Sequence, residues 1–107
     1  MSARRRAAAK EKAAGRFHDF NAFVDGSLAE LTRAEMAVWL VLFRDARNGI
    51  ACTAQEDIAR RAGCDRRTVN RALRRLGQLG LVKLVRRGGL DGTVSRYRVC
   101  PTPTRPR

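Results

Sequence analysis

Residues 36–43, MAVWLVLF, form an unbroken apolar run of eight. Eight consecutive apolar positions cover every side of a helix, so a helix here is expected to be buried nearly all round. Thr32 and Glu35 stand in the Thr-x-x-Glu spacing of a capping box, which starts that helix at Arg33. It is expected to run to residue 47, where Asn48-Gly49 is a natural stop. Such a helix needs a cover. Upstream, Phe17, Phe20, Phe23 and Val24 recur at helix-like spacing and can supply it. Two uses of that stripe stand side by side: packing against the core or a second subunit, or stacking against single-stranded bases.

Residues 53–76, TAQEDIARRAGCDRRTVNRALRRL, read as two short helices joined by a tight turn. Thr53 and Glu56 repeat the capping-box spacing and open a helix to residue 62, with Ile58 and Ala59 as its apolar contacts. Gly63 breaks it, and Asp65 is a good N-cap for the next helix. That helix, residues 66–79, places Val69, Ala72, Leu73 and Leu76 at i, i+3, i+4 and i+7, a core-facing stripe. Gly80 supplies a left-handed stop. Small Ala59, Gly63 at the turn and Val69 beneath it predict two steeply crossing helices.

The period then changes. Residues 50–52 suit a short strand, residues 81–86 (LVKLVR) a longer one, and residues 93–99 (TVSRYRV) its return across a Gly-rich loop at 87–92. A period of two turns Tyr97 and Val99 inward and Arg96 and Arg98 outward. In the first hairpin strand apolar residues fall on both parities, so its inward side is open. The whole is mainly α with a small β-hairpin: one domain at 17–99 with its core at 32–99. A basic flexible arm at 1–16 and an extended Pro-rich tail at 100–107 flank it.

Charge narrows the partner. The chain has 107 residues, 23 Lys plus Arg against 10 Asp plus Glu, and a net charge of +13. A chain this basic attracts polyanions, nucleic acid above all. The charge is uneven: residues 1–16 carry +5, residues 17–52 carry −2 and residues 53–107 carry +10. A near-neutral body therefore lies between two positive stretches. The Ala-rich arm either stays free or orders along phosphates or in a minor groove.

Candidate chemistry of other kinds is thin. Three cysteines, Cys52, Cys64 and Cys100, are far apart, and His18 is the only histidine. No metal site, cofactor or disulfide framework is expected, and free thiols suit a cytoplasmic, nucleoid-associated protein. No Ser or Cys partner accompanies His18 and the carboxylates are scattered, so an enzyme is not expected. The eight-residue apolar run is far short of a membrane span.

The segment EDIARRAGCDRRTVNRALRRLGQLGLVKLVRRGG and the closing SRYRV resemble a winged helix-turn-helix domain over residues 32–99. The pattern is similar to the DNA-binding modules of GntR-type and MarR-type bacterial regulators. It is also similar to the winged domains of phage and plasmid replication initiators, with a T-V-x-R-A-L helix, a G-L-V strand and a Y-R-V strand. The effector or dimerisation elements usual in the GntR and MarR types are expected to be absent or reduced here. The resemblance implies that helix 66–79 enters the major groove and that the wing, residues 86–98, touches flanking backbone or minor groove.

The residue chemistry points the same way. With Val69, Leu73 and Leu76 turned to the core, Arg67, Thr68, Arg71 and Arg74 or Arg75 face outward. Arginine donates two parallel bonds to guanine O6 and N7. Asn70 suits adenine if it lies near the groove, Thr68 suits a phosphate, and Arg66 opens the helix where amides attract anions. Arg86, Arg87, Arg96 and Arg98 group at the wing in a positioning role. Thr53, Arg60 and Arg61 on the preceding helix are either phosphate contacts or ordinary surface groups. Three roles fit: a transcriptional regulator binding as a homodimer through residues 17–47; a replication, partition or mobile-element factor; and a nonspecific architectural protein. An RNA binder or a protein adaptor is the alternative outside that class.

Overall fold

A computed structural model describes residues 3–89 and 94–103. Its elements in chain order are α1 (Ala3–Gly26), a 3-10 turn (Leu28–Glu30), α2 (Arg33–Asp45), β1 (Ile50–Cys52), α3 (Gln55–Ala62), α4 (Arg66–Gln78), β2 (Val82–Arg86) and β3 (Arg96–Val99). The arrangement is a winged helix-turn-helix: mainly helical, with a small antiparallel sheet of strand order β1-β3-β2. Residues 90–93 of the Gly-rich loop and 104–107 of the tail lie outside the described residues.

Helix α2 is the axis of the core. Thr32 and Glu35 form the expected capping box: the Glu35 N–H donates to Thr32 Oγ1 at 3.2 Å and the Thr32 N–H to Glu35 Oε1 at 3.0 Å. Val38, Trp39 and Leu42 are buried, each contributing about 1.5–3 kcal/mol of apolar burial. The all-round burial expected of residues 36–43 is corrected at Leu40, which is 36% exposed. The remaining sides are only half covered: α3, α4 and the sheet pack on α2, and α1 adds Phe23 against Trp39 and Arg16 against Phe43. Trp39 stacks between Phe23, at 3.6 Å between ring centroids, and Phe43, at 4.9 Å. Its indole N–H donates to the Cys100 carbonyl at 3.0 Å.

Four expectations shift. The helix expected over 33–47 ends at Asp45. Asn48 (φ 53°) and Gly49 (φ 81°) both have positive φ and make a two-residue turn in which Arg47 and Ile50 exchange backbone hydrogen bonds. That is the type I′ geometry which Asn-Gly favours, and it launches β1 rather than merely stopping the helix. Second, α1 runs unbroken from Ala3 to Gly26, across the boundary expected between residues 16 and 17. One helix runs through, as the Ala, Lys, Arg and Glu content allows. Arg16 fastens it, donating to the carbonyls of Phe43 (3.0 Å) and Ala46 (3.1 Å), with its guanidinium 4.6 Å from the Phe43 ring centroid.

Third, the aromatic stripe divides: Phe23 is buried, while Phe17 is 70% exposed. Fourth, the tail is tied down at its start. The Cys100 N–H reaches the Leu81 carbonyl at 2.9 Å, and the Ser27 hydroxyl donates to the Pro101 carbonyl at 3.0 Å.

The sheet closes the far side of the core. Tyr97 and Val99 face inward and are buried, while Arg96 and Arg98 face outward, as the period of two predicts. β1 pairs with β3 through Ala51↔Tyr97, an edge contact the sequence pattern does not reveal. The hairpin strands are Val82–Arg86 and Arg96–Val99, and their register is interrupted between Leu84 and Arg86 by one extra residue, Val85. No described helix is long and apolar enough to cross a membrane.

Candidate nucleic-acid interface

The turn between α3 and α4 fixes how the interface is presented. Gly63 caps α3 in the left-handed conformation at φ 71°, and the Cys64 N–H returns to the Ala59 carbonyl at 3.0 Å. Asp65 then caps α4, accepting from the Thr68 N–H at 2.8 Å. The Thr68 hydroxyl and N–H together hold the Asp65 carboxylate below its ordinary range. The Thr68 amide, one of the N-terminal amides expected to make the start of α4 an anion site, is thus already engaged by Asp65.

Val69, Ala72 and Leu76 are buried and Leu73 is half-buried, so the opposite face of α4 is fixed by geometry. Arg67, Arg71, Arg74 and Gln78 recur on it at intervals of four, three and four, and all are exposed. Gln78 is the residue sequence reading missed; extending the helical period one turn past Arg74 finds it. Thr68 and Arg75 lie on one flank of that face. Arg66 and Asn70 lie on the other, toward the hairpin. Arg66 reaches Glu56 at 3.3 Å, an exposed pair worth little that a phosphate can displace.

Between this flank and the hairpin runs an open cleft of about 810 Å³, lined by Gln55, Asn70, Arg74, Leu84, Arg87 and Tyr97 among others. The Gly88 N–H donates to Ser95 Oγ at 2.9 Å and closes the base of the wing loop on the cleft side. The four wing arginines do not act as one group. Arg87 lines the cleft with α4. Arg86 faces Arg96 and Lys83 faces Arg98 across the strands, both pairs on the outer side of the sheet and away from the cleft.

Two residues leave the interface. Thr53 is only 4% exposed and its hydroxyl donates to Asp45 Oδ2 at 2.8 Å, so it neither caps α3 nor reaches solvent. Ala54 takes the N-cap position without a side-chain bond. Arg61 is likewise structural: it forms a two-pronged pair with Asp45 and meets Asp57 at 2.9 Å. Arg60 pairs with Asp57 but stays exposed beside the turn.

An exposed cationic helix face, set by a glycine turn on a preceding helix and flanked by a hairpin, suits the major groove of a duplex. No curated protein matches the chain. The helix-turn-helix domain family matches residues 29–82, half of the chain, and spans the capping box of α2, both helices of the motif and the start of β2. The chain therefore belongs to the helix-turn-helix domain family and is a DNA-binding protein.

Proposed function

We propose that the protein is a sequence-specific transcriptional regulator that inserts α4 into the major groove of double-stranded DNA. The observation that carries this is the face of Arg67, Arg71, Arg74 and Gln78. It is exposed, opposite the core, and free of ion pairs among the described residues. Arg71, at its centre, reads a guanine edge, and Arg67 and Arg74 read or flank the neighbouring steps. Asn70, on the cleft flank, takes an adenine or a phosphate. Thr68, Arg75, Arg66 and Arg60 hold the backbone on either side. Arg87 meets the flanking backbone or minor groove from the cleft side of the wing.

The stripe of Phe17, Phe20 and Val24, respectively 70%, 39% and 40% exposed along one side of α1, supports a homodimer through residues 17–47. A dimer reads an inverted repeat with half-sites about one helical turn apart. Selection from random duplexes tests both claims. An enriched inverted repeat supports the regulator. Tandem repeats instead indicate a replication, partition or mobile-element factor, and no enriched motif indicates an architectural protein. Preference for duplex RNA over DNA at equal salt would overturn the reading.

A further inference from the structure

The outer face of the sheet carries a second cationic surface. The register sets Lys83 opposite Arg98 and Arg86 opposite Arg96. All four side chains are exposed, whereas Tyr97, Val99 and Val82 on the inner face are buried against the helices. β1 adds only Ile50 and Cys52 to that outer face, opposite Arg98 and Arg96. None of the four cations forms an ion pair among the described residues.

This clustering carries a cost within the fold. Like charges directly opposite across two strands destabilise a sheet, and here two such pairs follow one another. Paired strands lie about 4.8 Å apart, and same-face positions are about 7 Å apart along a strand. Those separations are within the Debye length of about 8 Å at physiological salt, so counterions screen the repulsion poorly. An extended polyanion relieves it by meeting several cations at once. Duplex DNA, with one charge per about 1.7 Å of axis, does so.

We propose that the outer sheet face binds a second segment of duplex DNA, so that one molecule holds two stretches of DNA together. The proposal rests on the reading of α4 as the groove-binding helix. The cleft between α4 and the hairpin is lined by Leu84 and Tyr97 of the inner face and by none of the four outer cations. A duplex seated on α4 therefore approaches the hairpin from the cleft side, at Arg87. The outer face looks away from it and contacts other DNA through phosphates alone, without sequence preference.

A two-duplex capture assay tests this. A duplex carrying the selected site is fixed to beads, loaded with protein, washed, and offered a fluorescent duplex of unrelated sequence. The wild type retains the fluorescent duplex. The variant K83Q/R86Q/R96Q/R98Q binds the bead duplex as well as wild type but captures the second about tenfold less or worse. Its melting temperature is no lower than wild type, since two repulsive pairs are gone; R96Q/R98Q falls between. Binding of the bead duplex reports the α4 reading separately. Three results overturn the proposal. The wild type captures no second duplex; or the quadruple variant captures as much as wild type, which assigns bridging to paired copies; or it loses both duplexes equally, which assigns the face to the first duplex.

Discussion

Asp45 is the residue on which three segments converge. It ends α2, accepts from Thr53 ahead of α3, and is clasped by Arg61 from within α3. A carboxylate at a helix C-terminus opposes the helix dipole, so its place there depends on those partners. The Arg61 hydrogen bond, with help from Thr53 and the charges of Arg61 and Arg44, holds its pKa below the ordinary 3.8. A lowered carboxylate pKa adds stability that is complete above the ordinary value and is lost as pH falls through the folded one. Asp45→Asn is expected to cost about 1–3 kcal/mol in urea unfolding at neutral pH. The difference from wild type should narrow as pH drops below 3.8. A pH-independent gap would assign the loss to packing. On the other side of the motif, Arg71→Ala is expected to weaken specific binding by about 1–3 kcal/mol in fluorescence anisotropy, while binding to unrelated duplexes changes much less.

Among the elements, the α3–α4 turn decides how α4 is presented. A Cβ on Gly63 meets nothing within 4 Å, so Gly63→Ala tests its left-handed φ of 71° alone. It should lower stability by about 1–2 kcal/mol, and Gly63→Asn by less, since asparagine tolerates that conformation. Equal stability of all three chains in thermal unfolding would remove the turn's backbone demand. The turn was legible because Gly63, Asp65 and the Val69–Leu76 stripe each carry a local rule. The Thr-x-x-Glu rule held at Thr32, whose surroundings are solvent. It failed at Thr53 because a residue eight positions upstream takes the hydroxyl. The bulge at Val85, which sets Arg86 opposite Arg96, has no local signature either, and neither does the pairing of β1 with β3. The first half of α1 escaped the pattern for a different reason: its alanines form no apolar stripe, and the polar anchor that follows them, Arg16, binds carbonyls of a distant helix end, while Phe23 packs the second half on Trp39.

At the scale of the whole molecule, the net charge of +13 is divided along the chain between residues 1–16 and 53–107, on either side of a near-neutral stretch at 17–52. Residues 1–11 add four basic side chains ahead of the point where α1 docks through Arg16. If those charges meet phosphates, deleting residues 1–11 weakens binding to all sequences alike. The slope of log affinity against log salt then falls by about 0.9 for each phosphate no longer neutralised. An unchanged slope removes the segment from the interface. Phe17→Ser with Val24→Ser should shift sedimentation toward the monomer; a wild type that sediments as a monomer would discard the dimer. The proposed reading of bases by α4 in the major groove is tested most directly by replacing single guanines in the selected site with 7-deazaguanine. Replacing N7 by a C–H removes one of the two acceptors an arginine uses and leaves the backbone unaltered. At one guanine the wild type should lose binding by about 1 kcal/mol or more while the Arg71→Ala variant loses nothing further. The same loss in both proteins, or no sensitive guanine at all, would contradict the assignment of Arg71 to a base edge.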